Sequence, residues 1–333
     1  MACHPEISVG GRLIYFLKKW EQITDDQWVL SVIKEGYKLE FLEIPKNTGI
    51  KYTCVSAKDL DILDTEENRG HETSNKLKTH QQVSPKTTFQ NGFPFFGSQS
   101  GETRRLGNQS GLKGRIFTCP NLQSTQEISE VLSKNGRALQ FKALPFGPTS
   151  ALRVLTNIMA VVAAHLRSRG IRLIVYLDDW FLLNQEKSQL ILDRELVRNL
   201  LVELGFIINL KKSTLDPSQQ ITSLGAMFLL NLGIVLPTEK RTSKLIASSQ
   251  AMILQNQVIA RDFLHFLGIM SSCLEIIPNA RLHMKPVQIH LLKFWKPVSQ
   301  DLEFKVPITA HLRSHLKWWL DQTNIKKGRS LKH

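Results

Sequence analysis

The chain has 333 residues, 42% of them hydrophobic, and carries 43 Lys+Arg against 29 Asp+Glu for a formal charge of +14. That is enough apolar material for one large domain or two modest ones. The basic excess favours a polyanionic partner, most simply nucleic acid, over an ordinary solvated surface. The four cysteines (Cys3, Cys54, Cys119, Cys273) are scattered without C-x-x-C spacing, which argues against a zinc site or disulfide framework and fits a reducing compartment. The N-terminus has no signal-peptide pattern, and the longest apolar run, Val154 to Ala164, holds Thr156 and Asn157 and is too short to span a bilayer. The expected location is therefore intracellular, nuclear or cytoplasmic, with no membrane partner.

In chain order, residues 8–43 read as ordered. Leu13, Phe16, Leu17 and Trp20 have helical spacing, and Trp28 to Ile33 fits a helix or a strand. From about residue 50 to 134, Gln, Thr, Ser, Gly and Lys dominate and apolar periodicity is lost, so this stretch is expected to lack stable structure. Leu139 to Leu144 alternates like a strand, and Pro145-Phe146-Gly147-Pro148 is a turn. Ser150 to Arg169 predicts a helix stopped at Gly170; Ile171 to Leu177 predicts a strand, with Trp180 to Leu183 as its hairpin return. Glu186 to Leu204 predicts an amphipathic helix stopped at Gly205, and Phe206 to Ile208 another strand. Ile221 to Leu230 and Ile234 to Leu236 predict a strand pair across Asn231-Leu232-Gly233. Helices are expected at Glu239–Gln257, Ala260–Leu274, Arg281–Leu292 and Ala310–Trp319. There is no internal repeat.

The feature that points to chemistry is Tyr176-Leu177-Asp178-Asp179 at the end of the apolar run Leu173-Ile174-Val175. Adjacent carboxylates on a tight turn repel one another, and a divalent cation bridging to phosphates relieves that repulsion. Two-metal phosphoryl or nucleotidyl transfer uses such a pair, although an Asp-Asp turn can also be plain solvated turn chemistry.

The surrounding residues extend this into a resemblance. Leu144-Pro145-Phe146-Gly147 resembles the opening of motif B of reverse transcriptases, and Tyr176 to Asp179 resembles their motif C. Gly205-Phe206 through Asn209, with Lys212-Ser213, resembles motif D. Leu215, Pro217 and Gln219, followed by Ser223-Leu224-Gly225, resemble the approach to the primer grip. The run His165-Leu166-Arg167-Ser168-Arg169-Gly170-Ile171-Arg172 and the later Trp318-Trp319-Leu320 are similar to retrotransposons of the DIRS type. The resemblance covers roughly Leu139 to Leu320 and implies an RNA-directed DNA polymerase. Its partners would be an RNA template, an RNA–DNA duplex and dNTPs, and its cofactor Mg²⁺ or Mn²⁺. Asp178 and Asp179 would be catalytic metal ligands. Pro145, Phe146, Gly147, Tyr176 and Lys212 would bind nucleotide or template. Taken alone, Pro145 and Gly147 are also ordinary turn residues, Lys212 a surface charge and Trp318-Trp319 core.

One part of the pattern is missing. The family needs a further carboxylate on the strand before motif B, in a run like D-L-K-D-A-Y-L-H-V-P-I, and the segment standing there reads Gly111-Leu112-Lys113-Gly114-Arg115-Ile116-Phe117-Thr118-Cys119-Pro120-Asn121. Its codons, read one nucleotide out of phase, permit that whole string. The same shift permits family-like strings at Thr65 to Lys78, Thr88 to Asn91, Arg104 to Leu106 and Gln126 to Val131, in the family's order. Residues from about Asp61 to Lys134 thus read as a frameshifted fingers and motif A segment. Leu152 stands where the family has Pro, and the RNase H domain that follows the connection region in the family is not expected within these residues.

The expected fold is α+β: a partial polymerase palm with a helical thumb and connection region. The expected segments are an N-terminal helical stretch (1–49) packed loosely on the palm, a frameshifted and unstructured stretch (50–134), the palm (135–237) and thumb/connection helices (238–333). The expected function is a reverse transcriptase-like protein with little or no activity. The alternatives are a non-catalytic RNA/DNA-binding remnant that uses its basic thumb, and a product that never folds.

Overall fold

A computed structural model describes residues 7, 10–37, 52–53, 63–65, 106–113, 130–133, 138–141 and 149–331. The chain divides into two compact units: 1–89 with 108–217, and 90–107 with 218–333.

In the first unit a 3-10 turn, Arg12–Phe16, leads into helix α1 (Leu17–Trp20), and α2 (Gln27–Glu35) follows. Asp26 caps α2, its Oδ1 accepting from the backbone N–H groups of Trp28 and Val29 at 3.0 Å each. Trp28 to Ile33, ambiguous in sequence, is therefore helical. Leu13, Trp20, Val29 and Ile33 are wholly buried. The indole Nε1 of Trp20 donates to the carbonyl of Leu204 at 3.0 Å, and its ring meets Phe206 edge-on at 5.8 Å. The N-terminal segment was expected to pack loosely; instead its apolar face is part of this unit's core.

Between residues 50 and 134, expected to lack structure, the described residues form β1 (Tyr52–Thr53), β2 (Leu63–Thr65), β3 (Leu106–Lys113) and β4 (Glu130–Ser133). The remainder, with most of the codon-phase segments, lies outside the described residues. With β5 (Ala138–Phe141), β1, β2 and β4 make a sheet in the order β1-β4-β5-β2, while β3 joins another sheet.

Helix α3 (Thr149–Ser168), strands β6 (Arg172–Tyr176) and β7 (Asp179–Asn184), helix α4 (Lys187–Glu203) and strand β8 (Ile207–Ile208) follow the predicted order. Both helices stop the same way. Gly170 (φ 82) and Gly205 (φ 89) take the left-handed conformation. Ile171 N–H then bonds Leu166 O while Gly170 N–H bonds Arg167 O, and Phe206 N–H bonds Leu201 O while Gly205 N–H bonds Val202 O. These paired bonds satisfy the last helical carbonyls and turn the chain into the next strand. A short β9 (Thr214–Ser218), not foreseen from sequence, pairs with β3; the sheet order is β6-β7-β3-β8. Helix α3 packs on β6 and α4 on β7, which explains why β7 is buried along most of its length.

The second unit opens with an antiparallel sheet of β10 (Gln220–Ser223), β11 (Ala226–Leu229) and β12 (Ile234–Pro237), joined later by β15 (Arg329–Ser330). The sequence suggested one strand across Ile221 to Leu230. It is instead a hairpin, because Leu224 (φ 51) and Gly225 (φ 74) both adopt positive φ between the paired Ser223 and Ala226. That is the pattern of a type I′ turn. Helices α5 (Glu239–Leu254), α6 (Ala260–Ser271), α7 (Ala280–Phe294), α8 (Ala310–Trp318) and α9 (Gln322–Ile325) make up the rest, with β13 (Gln257–Ile259) and β14 (Lys305–Pro307) as a two-stranded ribbon. Their core holds Leu245, Phe263, Phe266, Val287, Leu316 and Trp319. Trp319 is thus core, as one reading of Trp318-Trp319 had it, while Trp318 stacks on His283 with ring centroids 3.9 Å apart.

Candidate metal-binding turn

Strands β6 and β7 pair from Arg172↔Leu183 to Tyr176↔Asp179, which leaves Leu177 and Asp178 as a two-residue turn. Only Leu177 has positive φ (53), the pattern of a type II′ turn, in which glycine is the usual first residue. A leucine in the left-handed region costs about 1–2 kcal/mol, strain of a kind that collects at functional sites. Neighbouring side chains hold the hairpin: Trp180 is wholly buried, Phe181, Leu182 and Leu183 nearly so, while Tyr176 is 44% exposed. Asp178 and Asp179 are half-buried, so their carboxylates remain within reach of solvent.

Asp193 was not singled out by the sequence. It is buried on α4 and accepts from Asn184 Nδ2 and Gln189 Nε2, each at 2.8 Å. It thereby ties the end of β7 to the helix beneath it. The available signal was a carboxylate on the apolar face of α4, between Leu190 and Val197.

The remaining predicted site residues are not drawn together by the described contacts. Pro145, Phe146 and Gly147 lie outside the described residues. Lys212 is exposed on a 3-10 turn after β8, and β3 stands between β8 and β7 in the sheet. The strand beside β7, β3, reads Leu-Gly-Asn-Gln-Ser-Gly-Leu-Lys and contains no carboxylate. Among the described residues no three His, Cys, Asp or Glu side chains come together as a metal site. For a divalent cation such as Mg²⁺, the described residues therefore offer the Asp178–Asp179 pair without a third carboxylate, and they do not make up a full ligand set.

Residues 114–228 match the family described as Reverse transcriptase (RNA-dependent DNA polymerase). Among solved structures, a foamy viral protease-reverse transcriptase in complex with double-stranded DNA superposes at a TM-score of 0.58 with 15% identity, over 96% of this chain and 57% of that one. A second such complex with double-stranded DNA gives a TM-score of 0.56 at 16% identity over 96% of this chain and 68% of that one. The foamy viral enzyme in complex with an RNA/DNA hybrid gives 0.51 at 19% identity, over 68% of this chain and 28% of that one.

The fold is that of a reverse transcriptase.

The chain thus spans between about a quarter and two thirds of the foamy viral polypeptides it resembles. A comparison with curated proteins finds no match. The reverse-transcriptase match begins at residue 114, where β3 has just ended. No described helix is long and apolar enough to cross a membrane.

Proposed function

We propose that this chain is the reverse transcriptase-like protein of a DIRS-type retrotransposon, a nucleotidyl transferase by descent that adds nucleotides weakly or not at all. In the intact family arrangement, Asp178 and Asp179 would hold a divalent cation beside a further carboxylate from the adjacent strand, and dNTP and primer would meet there. The observation that carries the proposal is β3: it sits directly beside β7 in the sheet yet has no acidic residue. The chain of Gly114 to Asn121 that follows β3 has none either.

The codon-phase pattern supplies a cause, a fingers and motif A segment translated in the wrong frame between about Asp61 and Lys134. The family match starts at residue 114, inside that segment. It takes in residues 114–134, which the frame inference would exclude. The transcript sequence across codons 50–140 decides between them, since failure to find the family strings in the adjacent frame removes the frameshift.

Primer extension with Mg²⁺ or Mn²⁺ tests the activity proposal. Template-dependent incorporation that disappears in Asp178→Ala would overturn it. The second reading, a non-catalytic RNA/DNA-binding protein, is favoured by the net charge of +14 and by the nucleic-acid complexes among its structural neighbours. Salt-dependent binding of an RNA–DNA hybrid without incorporation supports that reading. A chain without a cooperative melt supports neither.

A further inference from the structure

The run His165-Leu166-Arg167-Ser168-Arg169-Gly170-Ile171-Arg172 takes no part in the turn that carries Asp178 and Asp179. It lies at the other end of the same hairpin. Arg172 opens β6 opposite Leu183, whereas Tyr176 and Asp179 close it. Five strand residues separate the two ends by about 15 Å.

At that open end the structure gathers cations from three elements. Arg167 and Arg169 come from the end of α3, Arg172 from the start of β6, and Lys19 from α1. Arg167, Arg169 and Arg172 are exposed. Arg167 keeps its Nη2 on the carbonyl of Leu173 at 3.1 Å, which holds its guanidinium beside β6. Lys19 Nζ is 2.7 Å from Glu203 and is its ion-pair partner there. Arg169 and Arg172 form no salt bridge among the described residues. Of the carboxylates on the flanking elements, Glu203 pairs with Lys19, Asp193 accepts from Asn184 and Gln189, Glu195 pairs with Arg194 and Arg198, Glu186 follows β7 by two residues and Glu21 follows α1. The C-terminal end of the α3 dipole also favours positive charge here. A consequence of this concentrated charge is visible at His165, whose pKa is held below its ordinary value by burial first and then by Arg169 and Lys19.

We propose that Arg167, Arg169 and Arg172, with Lys19 behind them, form a second nucleic-acid contact surface at the hairpin end remote from Asp178 and Asp179, and that it grips the phosphate backbone of an RNA–DNA duplex. Guanidinium groups suit this task because their planar donors match phosphate oxygens two at a time. The surface reads no base sequence, since phosphate contacts position a duplex without specifying it. The inference stands apart from catalysis: it requires neither the metal nor the acidic turn.

The test uses the full chain and its R169Q/R172Q variant, which leaves the Arg167 and Lys19 contacts intact. Binding of a fluorescein-labelled RNA–DNA hybrid is titrated between about 0.05 and 0.2 M salt. The variant should melt at the same temperature, bind the hybrid about 10-fold or more weakly at the low-salt end, and show a log K against log salt slope shallower by about 2. An unchanged slope and affinity in a folded variant overturns the proposal. So does a variant that keeps hybrid binding but loses binding to phosphatidylserine vesicles, because the surface then serves a membrane. If the unaltered chain binds no hybrid at all, the non-catalytic binding reading fails with it, an outcome separable from failure of the variant alone.

Discussion

The indole N–H of Trp20 donates to the carbonyl of Leu204 across 184 residues of sequence, and the neighbouring Gly205 lies so close to the Phe16 ring that a Cβ there would stand 2.5 Å from it. One hydrogen bond and one close approach thus join the first helix of the chain to the end of α4. Leu204 follows the last turn of α4, where carbonyls have no partner within the helix, and the indole supplies one. Replacing Trp20 by Ala removes a wholly buried side chain and should cost about 3–5 kcal/mol. Trp20→Phe keeps much of the packing and should cost less, about 1–3 kcal/mol for the unpaired carbonyl. Urea midpoints of the two variants check the order.

A second close approach sits in the hairpin of the other unit. A Cβ on Gly225 would stand 2.4 Å from Nη2 of Arg241, and Gly225 has φ 74. Arg241 also bonds the carbonyls of Ser272 at 3.1 Å and Leu224 at 3.4 Å. Gly225→Ala should therefore destabilise through both the backbone and the clash, by about 1–3 kcal/mol. In an Arg241→Ala background the clash is gone and the backbone cost alone remains. The double-mutant cycle should be non-additive by about 0.5 kcal/mol or more; additivity would mean that the guanidinium simply moves aside.

Strain at the acidic turn leads to the opposite sign. Leu177 holds φ 53 at a position where glycine is at ease. Leu177→Gly should raise stability or leave it level, against the usual loss of about 0.5–3 kcal/mol for a point substitution. A clear loss in chemical denaturation would show that the leucine side chain contributes more than its backbone costs.

The pKa of His165 lies below the ordinary 6.5, through burial first and then through Arg169 and Lys19. The unfolded chain therefore takes up this proton first as the pH falls, so stability rises with pH across the interval between the folded value and 6.5. The contribution is complete above that interval and is lost below it. His283, lowered by burial and then by His315, acts with the same sign. Thermal melts should fall as the pH drops through and below 6.5, and His165→Gln should flatten that dependence. Arg169→Gln should move the His165 titration back upward in an NMR experiment.

The readable parts of the sequence were those where one residue type does one job. Gly170 and Gly205 end their helices because they alone among their neighbours take positive φ easily, and both were legible as stops. The β6–β7 hairpin was legible from its apolar strands. Leu224-Gly225 was not, because a type I′ turn with leucine first is unusual, the apolar Ala226 to Leu230 follows at once, and Gly225 was its clearest marker. Strand β3 escaped detection for another reason: Leu-Gly-Asn-Gln-Ser-Gly-Leu-Lys lacks alternation, and its place depends on backbone pairing with partners far along the chain. Asp193 looked like one more charge on a helix, since its two amide partners, Asn184 and Gln189, are identified by the fold. At the candidate site, the adjacent carboxylates were visible at once, but which strand would lie beside them was a matter of topology.

The position of β3 also sets an order of assembly. Residues 172–184 can close on themselves as soon as they leave the ribosome, whereas Leu112 must wait for Ile208. Until then, the eight-residue β3 has at most β7 beside it, and its other backbone edge stays open on the growing chain. Slow pairing across long stretches of sequence and open strand edges are the conditions under which chains associate with one another. The yield of soluble protein should thus depend on how quickly synthesis passes residue 208, before any question of what the finished molecule binds.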